Sequence, residues 1–154
     1  KVNPPLRASE NVEVMVRGLR DGTIDVIATD HAPHNRVKKL CSFDEATFGI
    51  SVLETALGSL MSLVHDDKIP LPLLLEKLTA APAGFLGRQD IGTLKKGAAA
   101  DITVFDPDAG WVVDASRFAS KGKNTPLDGA TLKGRVVATI VGGEVVYTTD
   151  GPDA

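Results

Sequence analysis

A chain of 154 residues with 43% hydrophobic and 24% charged residues has ordinary globular composition, long enough for one domain with a real core or for parts of two. Its formal net charge of −3 gives no electrostatic case for nucleic acid or an anionic membrane, and no apolar run approaches the ~20 residues of a membrane helix. The single cysteine, Cys41, excludes an internal disulfide and a cysteine-only metal cage and fits a reducing cytoplasm.

The sequence opens Lys-Val-Asn-Pro-Pro, with neither a methionine nor a signal-peptide pattern, and reads as a piece of a longer or processed chain. Residues 1–7 cannot be helix interior, because two adjacent prolines remove backbone donors and restrict their predecessors. Ser9 then reads as an N-cap with Glu10 in the first turn. Val12, Met15, Val16 and Leu19 follow at helical spacing, and Asp21-Gly22 ends the helix. The run IDVIAT, residues 24–29, is rich in β-branched residues with little alternation. It predicts a strand buried on both faces, as in a parallel sheet, so helix, tight turn and strand form one α/β unit.

Residues 30–47 are polar and irregular. A second helix is expected from about residue 50, with Ile50, Leu53, Leu57, Leu60, Met61 and Val64 on one stripe. A shorter one is expected over 71–80, stopped by Pro82 and Gly84. From about residue 90, glycine and alanine become dense. ADITVFD reads as a strand, and GRVVATIVGGEVVYT as two strands joined by a two-residue turn at Gly142-Gly143. The stretch 106–134 reads as loop-rich. A boundary near residue 88 separates an α/β part from a mostly β part.

Ligands of α/β sheets and barrels gather beyond the carboxyl ends of the strands, where Asp30, His31 and His34 stand. An aspartate here can ligate a divalent metal and also move protons. Pro33 limits how the loop bends and aims the His34 ring back over the site. The bland alternative is that Asp30 caps the next segment while the histidines are solvated. Asn3, before Pro-Pro, reads first as a turn residue. Phe48-Gly49 either exposes backbone N–H groups to an anionic ligand at a helix N-terminus or forms a hinge with a staple-like aromatic. His65 meets the dipole at the end of the second helix. Cys41, near Lys38 and Lys39, lacks a second catalytic partner and reads as a bystander thiol.

Taken together and in this order, KVNPPLR, DGTIDVIATDHAPH, FGISVLETAL, GTLKKGAAADITVFDP and SKGKNTPLDGATLKGRVVATIVGGEVVY resemble the C-terminal third of the bacterial type I dihydroorotases of the amidohydrolase superfamily. TDHAPH is the most specific piece, although hydantoinases and allantoinases are similar in their strand-end aspartate and histidine. The resemblance implies a zinc-dependent, reversible interconversion of N-carbamoyl-L-aspartate and L-dihydroorotate in pyrimidine synthesis. It implies that Asp30 ligates one zinc and is the catalytic acid/base. Asp30 would take the proton of a metal-held hydroxide as that attacks the cyclic amide carbonyl, and deliver it to the departing ring nitrogen. Asn3 and His34 match substrate-binding residues, and Phe48 and Gly49 match the stretch whose backbone contacts the substrate. His31 matches no metal ligand.

The fold class implied is α/β. Residues 1–88 resemble the C-terminal segment of a (β/α)8 barrel, and residues 89–154 the C-terminal part of a small composite β-sandwich. One or two Zn2+ per complete site are implied. The His-x-His pair, the bridging carboxylate or carboxylated lysine, two further metal histidines and the substrate-gripping arginine are expected upstream of Lys1; Arg7 does not match that arginine. One carboxylate cannot hold zinc tightly, so these residues by themselves are expected to bind no zinc at a catalytic geometry and to be inactive. IDVIAT without parallel neighbours is expected to leave apolar surface exposed. The partners implied are a small-molecule substrate and, as open alternatives, a second copy of the chain or aspartate transcarbamoylase. Two other readings stay open: a catalytically silent dihydroorotase homologue that is a structural partner of aspartate transcarbamoylase, and a related cyclic amidase acting on a hydantoin or allantoin. The presence of Asp30, His34 and Asn3 favours an active enzyme.

Overall fold

In the computed structural model, which describes residues 1–149, helices occupy the sequence before residue 88 and a three-stranded antiparallel sheet follows it. Helix α1 spans Ser9–Asp21 and ends at Gly22, which takes the left-handed conformation at φ 81. Ala8, not Ser9, holds the cap position, and no side chain caps the helix. Only half of the expected stripe is covered. Val16 and Leu19 are buried, while Val12 and Met15 are 43% and 57% exposed, because α1 turns only its Val16 edge toward Met61, Ile69 and Leu74.

Residues 24–29 do not form the expected sheet strand. They carry no regular structure and lie outside any ladder among the described residues, with Ile24, Val26, Ile27 and Thr29 half-buried and Asp25 and Ala28 exposed. A parallel strand exists only with a neighbour to pair with, and these residues meet none. Their main-chain bonds go instead from Ile24 N–H to the Gly18 carbonyl and from Ile27 N–H to the Lys77 carbonyl, at 2.9 and 3.0 Å.

A single turn, α2 (Arg36–Lys39), is capped by the Asn35 side chain, which accepts from Lys38 N–H at 3.0 Å. The second long helix starts later than its apolar pattern suggests. A 3-10 turn at Leu53–Thr55 leads into α3 (Ala56–His65), and Leu53 is exposed. Helices α4 (Leu71–Leu78) and α5 (Ala80–Phe85) follow. Pro82 does not stop a helix. It lies in the first turn of α5, where a missing N–H leaves no bond unmade.

Strands β1 (Ile102–Val112), β2 (Thr131–Val141) and β3 (Glu144–Thr148) form the sheet in the order β1-β2-β3. β1 runs past the expected ADITVFD, with an irregularity between Asp106 and Gly110 where Pro107 has no N–H to give. There Asp106 Oδ1 accepts from the N–H groups of Asp108 and Ala109 at 2.9 and 3.1 Å. The β2–β3 turn is the expected two-residue hairpin. Val141 pairs with Glu144, and Gly142 and Gly143 have φ 59 and 86, the sign that matches the strand twist.

α3 joins the two halves. Met61 belongs to a cluster of Val16, Ile69 and Leu74 that also gathers Phe105 from β1. One turn earlier Gly58 abuts Trp111 and Leu132, which pack on the second cluster of Val113, Ala115 and Phe118. Trp111 Nε1 donates to the Gly134 carbonyl at 3.3 Å, satisfying the indole where it is half-buried.

Candidate active site

Asp30 follows residues 24–29 in the left-handed region at φ 47, a conformation aspartate tolerates better than most residues. The chain turns sharply there, and the loop that follows folds over residues 48–53. Ala32 N–H donates to the Ile50 carbonyl at 3.0 Å. The Asp30 side chain is exposed and belongs to none of the ion pairs among the described residues.

His31 is occupied on both ring nitrogens. Its Nδ1 accepts from the N–H groups of Val52 and Leu53, each at 3.1 Å, and its Nε2 faces Ser120 Oγ at 3.4 Å. A ring nitrogen accepting two N–H bonds carries no proton, so the hydrogen sits on Nε2. The two N–H groups are donors that the start of the 3-10 turn cannot satisfy by itself, and the imidazole caps them.

His34 faces the other way. Its Nε2 lies 2.9 Å from the Phe48 carbonyl oxygen, which can only accept, so Nε2 donates and Nδ1 is left as the ring's polar atom for a ligand. Gly49 has φ 123 and packs so closely that an added Cβ would lie 2.5 Å from Ala32 Cβ and 2.8 Å from the Ala32 carbonyl oxygen. Only glycine permits that contact. The Gly49 N–H donates to the Lys1 carbonyl at 3.0 Å, and its own carbonyl accepts from Lys39 Nζ at 2.9 Å and Asn124 Nδ2 at 3.0 Å. Lys39 also donates to the carbonyls of Thr47 and Lys1, at 2.8 and 3.4 Å, so one half-buried ammonium gathers three carbonyls. Phe48 is half exposed, and Lys1 Nζ sits 4.6 Å from its ring centroid, within cation–π range.

The expected residues are thus unequally assembled. His34, Phe48 and Gly49 touch one another. Asn3 is exposed and tied to them only through the main chain, two residues beyond the Lys1 carbonyl that Gly49 and Lys39 hold. Asp30 heads the same loop. The anion-site reading of Phe48-Gly49 fails in its original form: no helix starts there, the Gly49 N–H is already engaged, and the helix-start donors at Val52 and Leu53 are taken by His31. The sequence alone did not single out Lys39, Ser51, Ser120 or Asn124 for this loop. The only signal was the small polar run SKGKN ahead of Pro126.

His65 stands in the last turn of α3, 3.6 Å from an Asp108 carboxylate oxygen, away from this loop. Cys41 is exposed, and its thiol donates to the Lys38 carbonyl. Among the described residues no group of three His, Cys, Asp or Glu side chains converges on a point where a metal could sit. The donor set present is one carboxylate, and zinc needs three or four protein ligands. The described residues by themselves therefore do not fit a zinc site. None of the described helices is long and apolar enough to cross a membrane.

Asp30, the His34 loop and the Gly49 turn bonded to it lie within a stretch of sequence that matches the amidohydrolase family. The chain belongs to that family: residues 3–146 match the Amidohydrolase family model. It is 52% identical over 147 residues to a dihydroorotase of Geobacter metallireducens and 50% identical over 150 residues to one of Syntrophus aciditrophicus. These matches cover 96% and 97% of the chain but 34% and 35% of the relatives, so the chain spans about a third of the length of the curated relatives it matches. Among solved structures, the L-hydantoinase (dihydropyrimidinase) from Arthrobacter aurescens matches with a TM-score of 0.87 at 34% identity, covering 96% of this chain and 34% of that one. The dihydropyrimidinase from Brevibacillus agri NCHU1002 matches with a TM-score of 0.88 at 25% identity, covering 96% and 33%. The helices and small antiparallel sheet accordingly sit within the α/β fold of that family.

Proposed function

We propose that this chain carries one wall of the active site of a dihydroorotase, a protein that opens L-dihydroorotate to N-carbamoyl-L-aspartate and closes it again. The observation that carries this reading is the Asp30–Gly49 arrangement, in which the carboxylate that follows residues 24–29 heads a loop that locks His34 onto the Phe48 carbonyl. Identity of about 50% to dihydroorotases, against 34% to an L-hydantoinase, favours dihydroorotate over a hydantoin as substrate.

In this reading water adds to the cyclic amide carbonyl, the carbon–nitrogen bond of the ring breaks, and Asp30 carries the water's proton to the departing nitrogen. A carboxylate can do this in both directions, whereas an amide in its place cannot. His34 Nδ1 and Asn3 face the substrate, and the Phe48-Gly49 main chain, with both carbonyls and the Gly49 N–H bonded within the protein, shapes the wall beside them. Residues 1–88 belong to a barrel and residues 89–154 to an accompanying sandwich; residues 150–154 lie outside the described residues. Zinc enters the complete protein through ligands outside these 154 residues, with Asp30 as one donor. The protein works in the cytoplasm.

The test uses the full-length protein that contains this chain, supplied with zinc, and follows dihydroorotate hydrolysis by ultraviolet absorbance beside a hydantoin and allantoin. Turnover of dihydroorotate above both, lost in Asp30→Asn, is expected. Preference for a hydantoin or allantoin would transfer the reading to another cyclic amidase. A folded, inactive protein that binds aspartate transcarbamoylase would replace it with a structural role.

A further inference from the structure

We propose that Asn124, in the loop between β1 and β2, is a positioning residue that sets the geometry of the substrate wall; the inference rests on the reading that His34 and Phe48-Gly49 form that wall. Both ends of its amide are used. Oδ1 accepts from the His34 N–H at 3.3 Å, and Nδ2 donates to the Gly49 carbonyl at 3.0 Å. Its main-chain carbonyl accepts from the Ser51 N–H at 2.8 Å. One half-buried residue therefore joins three points of two loops that lie 75 and 90 residues away from it in sequence. The partners fix the amide's orientation, since a flipped group would set oxygen against oxygen at Gly49 and NH2 against the His34 N–H.

The rest of the loop is shaped to deliver that amide. Ser120 N–H donates to Glu54 Oε1 at 2.9 Å, and the buried Ser51 hydroxyl donates to the Gly122 carbonyl at 2.5 Å. Gly122 is pressed against the site loop: an added Cβ would lie 2.6 Å from Pro33 Cβ and 2.8 Å from the His34 nitrogen. A side chain there would lever the loop off His34, and the amide with it. The bonds of Asn124 go to His34, Gly49 and Ser51, and not to the Asp30 carboxylate assigned to proton transfer. Asn124 acts on where His34 and the Gly49 peptide stand, so its loss falls on substrate binding before it falls on chemistry.

The experiment compares wild type with Asn124→Ala and Asn124→Asp in the full-length protein. Asp keeps the acceptor for the His34 N–H and lacks the donor for Gly49. Two readouts are taken: kcat and KM for dihydroorotate, and the ring-nitrogen resonances of His34 in 15N-histidine-labelled protein at one pH. For Asn124→Ala, KM rises roughly tenfold to a hundredfold, while kcat stays within about threefold. The His34 Nε2 resonance moves as its bond to Phe48 loosens, and Asn124→Asp, which sets a carboxylate oxygen against the Gly49 carbonyl, raises KM at least as far as alanine does. Unchanged KM in an active protein, or a fall in kcat with KM unmoved, overturns the proposal. So does loss of the folded state in both variants, which would make Asn124 a residue of the fold alone. A wild type without activity on cyclic amides would overturn the functional reading instead, and the His34 resonance by itself then decides whether Asn124 sets the loop.

Discussion

His34 donates from Nε2 to the main-chain carbonyl of Phe48 at 2.9 Å, across a sequence separation of 14 residues. This bond leaves one nitrogen of the ring for a ligand and fixes the ring plane. Replacing His34 by alanine removes both services. If the full-length protein is the dihydroorotase proposed above and His34 binds its substrate, His34→Ala is expected to raise KM for dihydroorotate by roughly tenfold or more, with a smaller effect on kcat. Steady-state kinetics on the purified variant check this; a fall in kcat at constant KM would contradict it.

On the proposed reading, Asp30→Asn removes the proton carrier and leaves the shape. Turnover is expected to fall by about 10²–10⁴-fold, the range for a positioned acid/base, with the thermal midpoint little changed. Parallel rate and melting measurements separate this from misfolding.

Gly49→Ala meets two obstacles at once, the φ of 123 and an Ala32 methyl 2.5 Å from the new Cβ. The expected outcome is a loss of stability of about 1–3 kcal/mol together with weaker substrate binding. Urea titration and KM, measured on the same variant, report both.

His31→Ala leaves the Val52 and Leu53 N–H groups without their acceptor. Stability is expected to drop by about 1–3 kcal/mol in denaturant melts. An unchanged midpoint would mean that water replaces the ring at no cost.

The Asp90 carboxyl is held down to about 2 from its ordinary 3.8, first by the side-chain hydrogen bond from Arg88 and then by the backbone bond at Asp90 itself. The shift is downward, so the pair's contribution to stability is complete above 3.8 and fades as pH falls through about 2. Carbon-13 titration of the Asp90 carboxyl should show that low midpoint, and Arg88→Ala should return it toward the ordinary value.

What the sequence made legible was local. The Gly142-Gly143 hairpin was readable because a two-residue loop encodes its own turn in the sign of its φ angles. The end of α1 at Gly22 was readable for the same reason. Pro82 was misread as a terminator because its position within the first turn of α5, and not its identity, decides the effect. IDVIAT has the composition of a strand, yet strand pairing is a property of its neighbours. The DHAPH loop follows residues 24–29 directly, but without the sheet strand whose end the sequence predicts there. Its supports could not be read from the residues, since Lys39, Ser51, Ser120 and Asn124 reach it through bonds whose partners only the folded chain brings near.

The loop Ser120–Asn124 also divides the second half of the chain into places where it tolerates cutting and places where it does not. A tag or a split point at Gly142-Gly143 falls in an exposed turn, where it costs the bonds from Gly142 N–H to Asp101 Oδ1 at 2.8 Å and from Gly143 N–H to the Ala100 carbonyl at 3.0 Å but none at His34 or Gly49. The same insertion between Gly122 and Asn124 leaves the sheet intact and disconnects it from His34 and Gly49. A sensor or fusion partner that must leave the site undisturbed therefore belongs at the hairpin. One meant to switch the site off by pulling belongs at the loop.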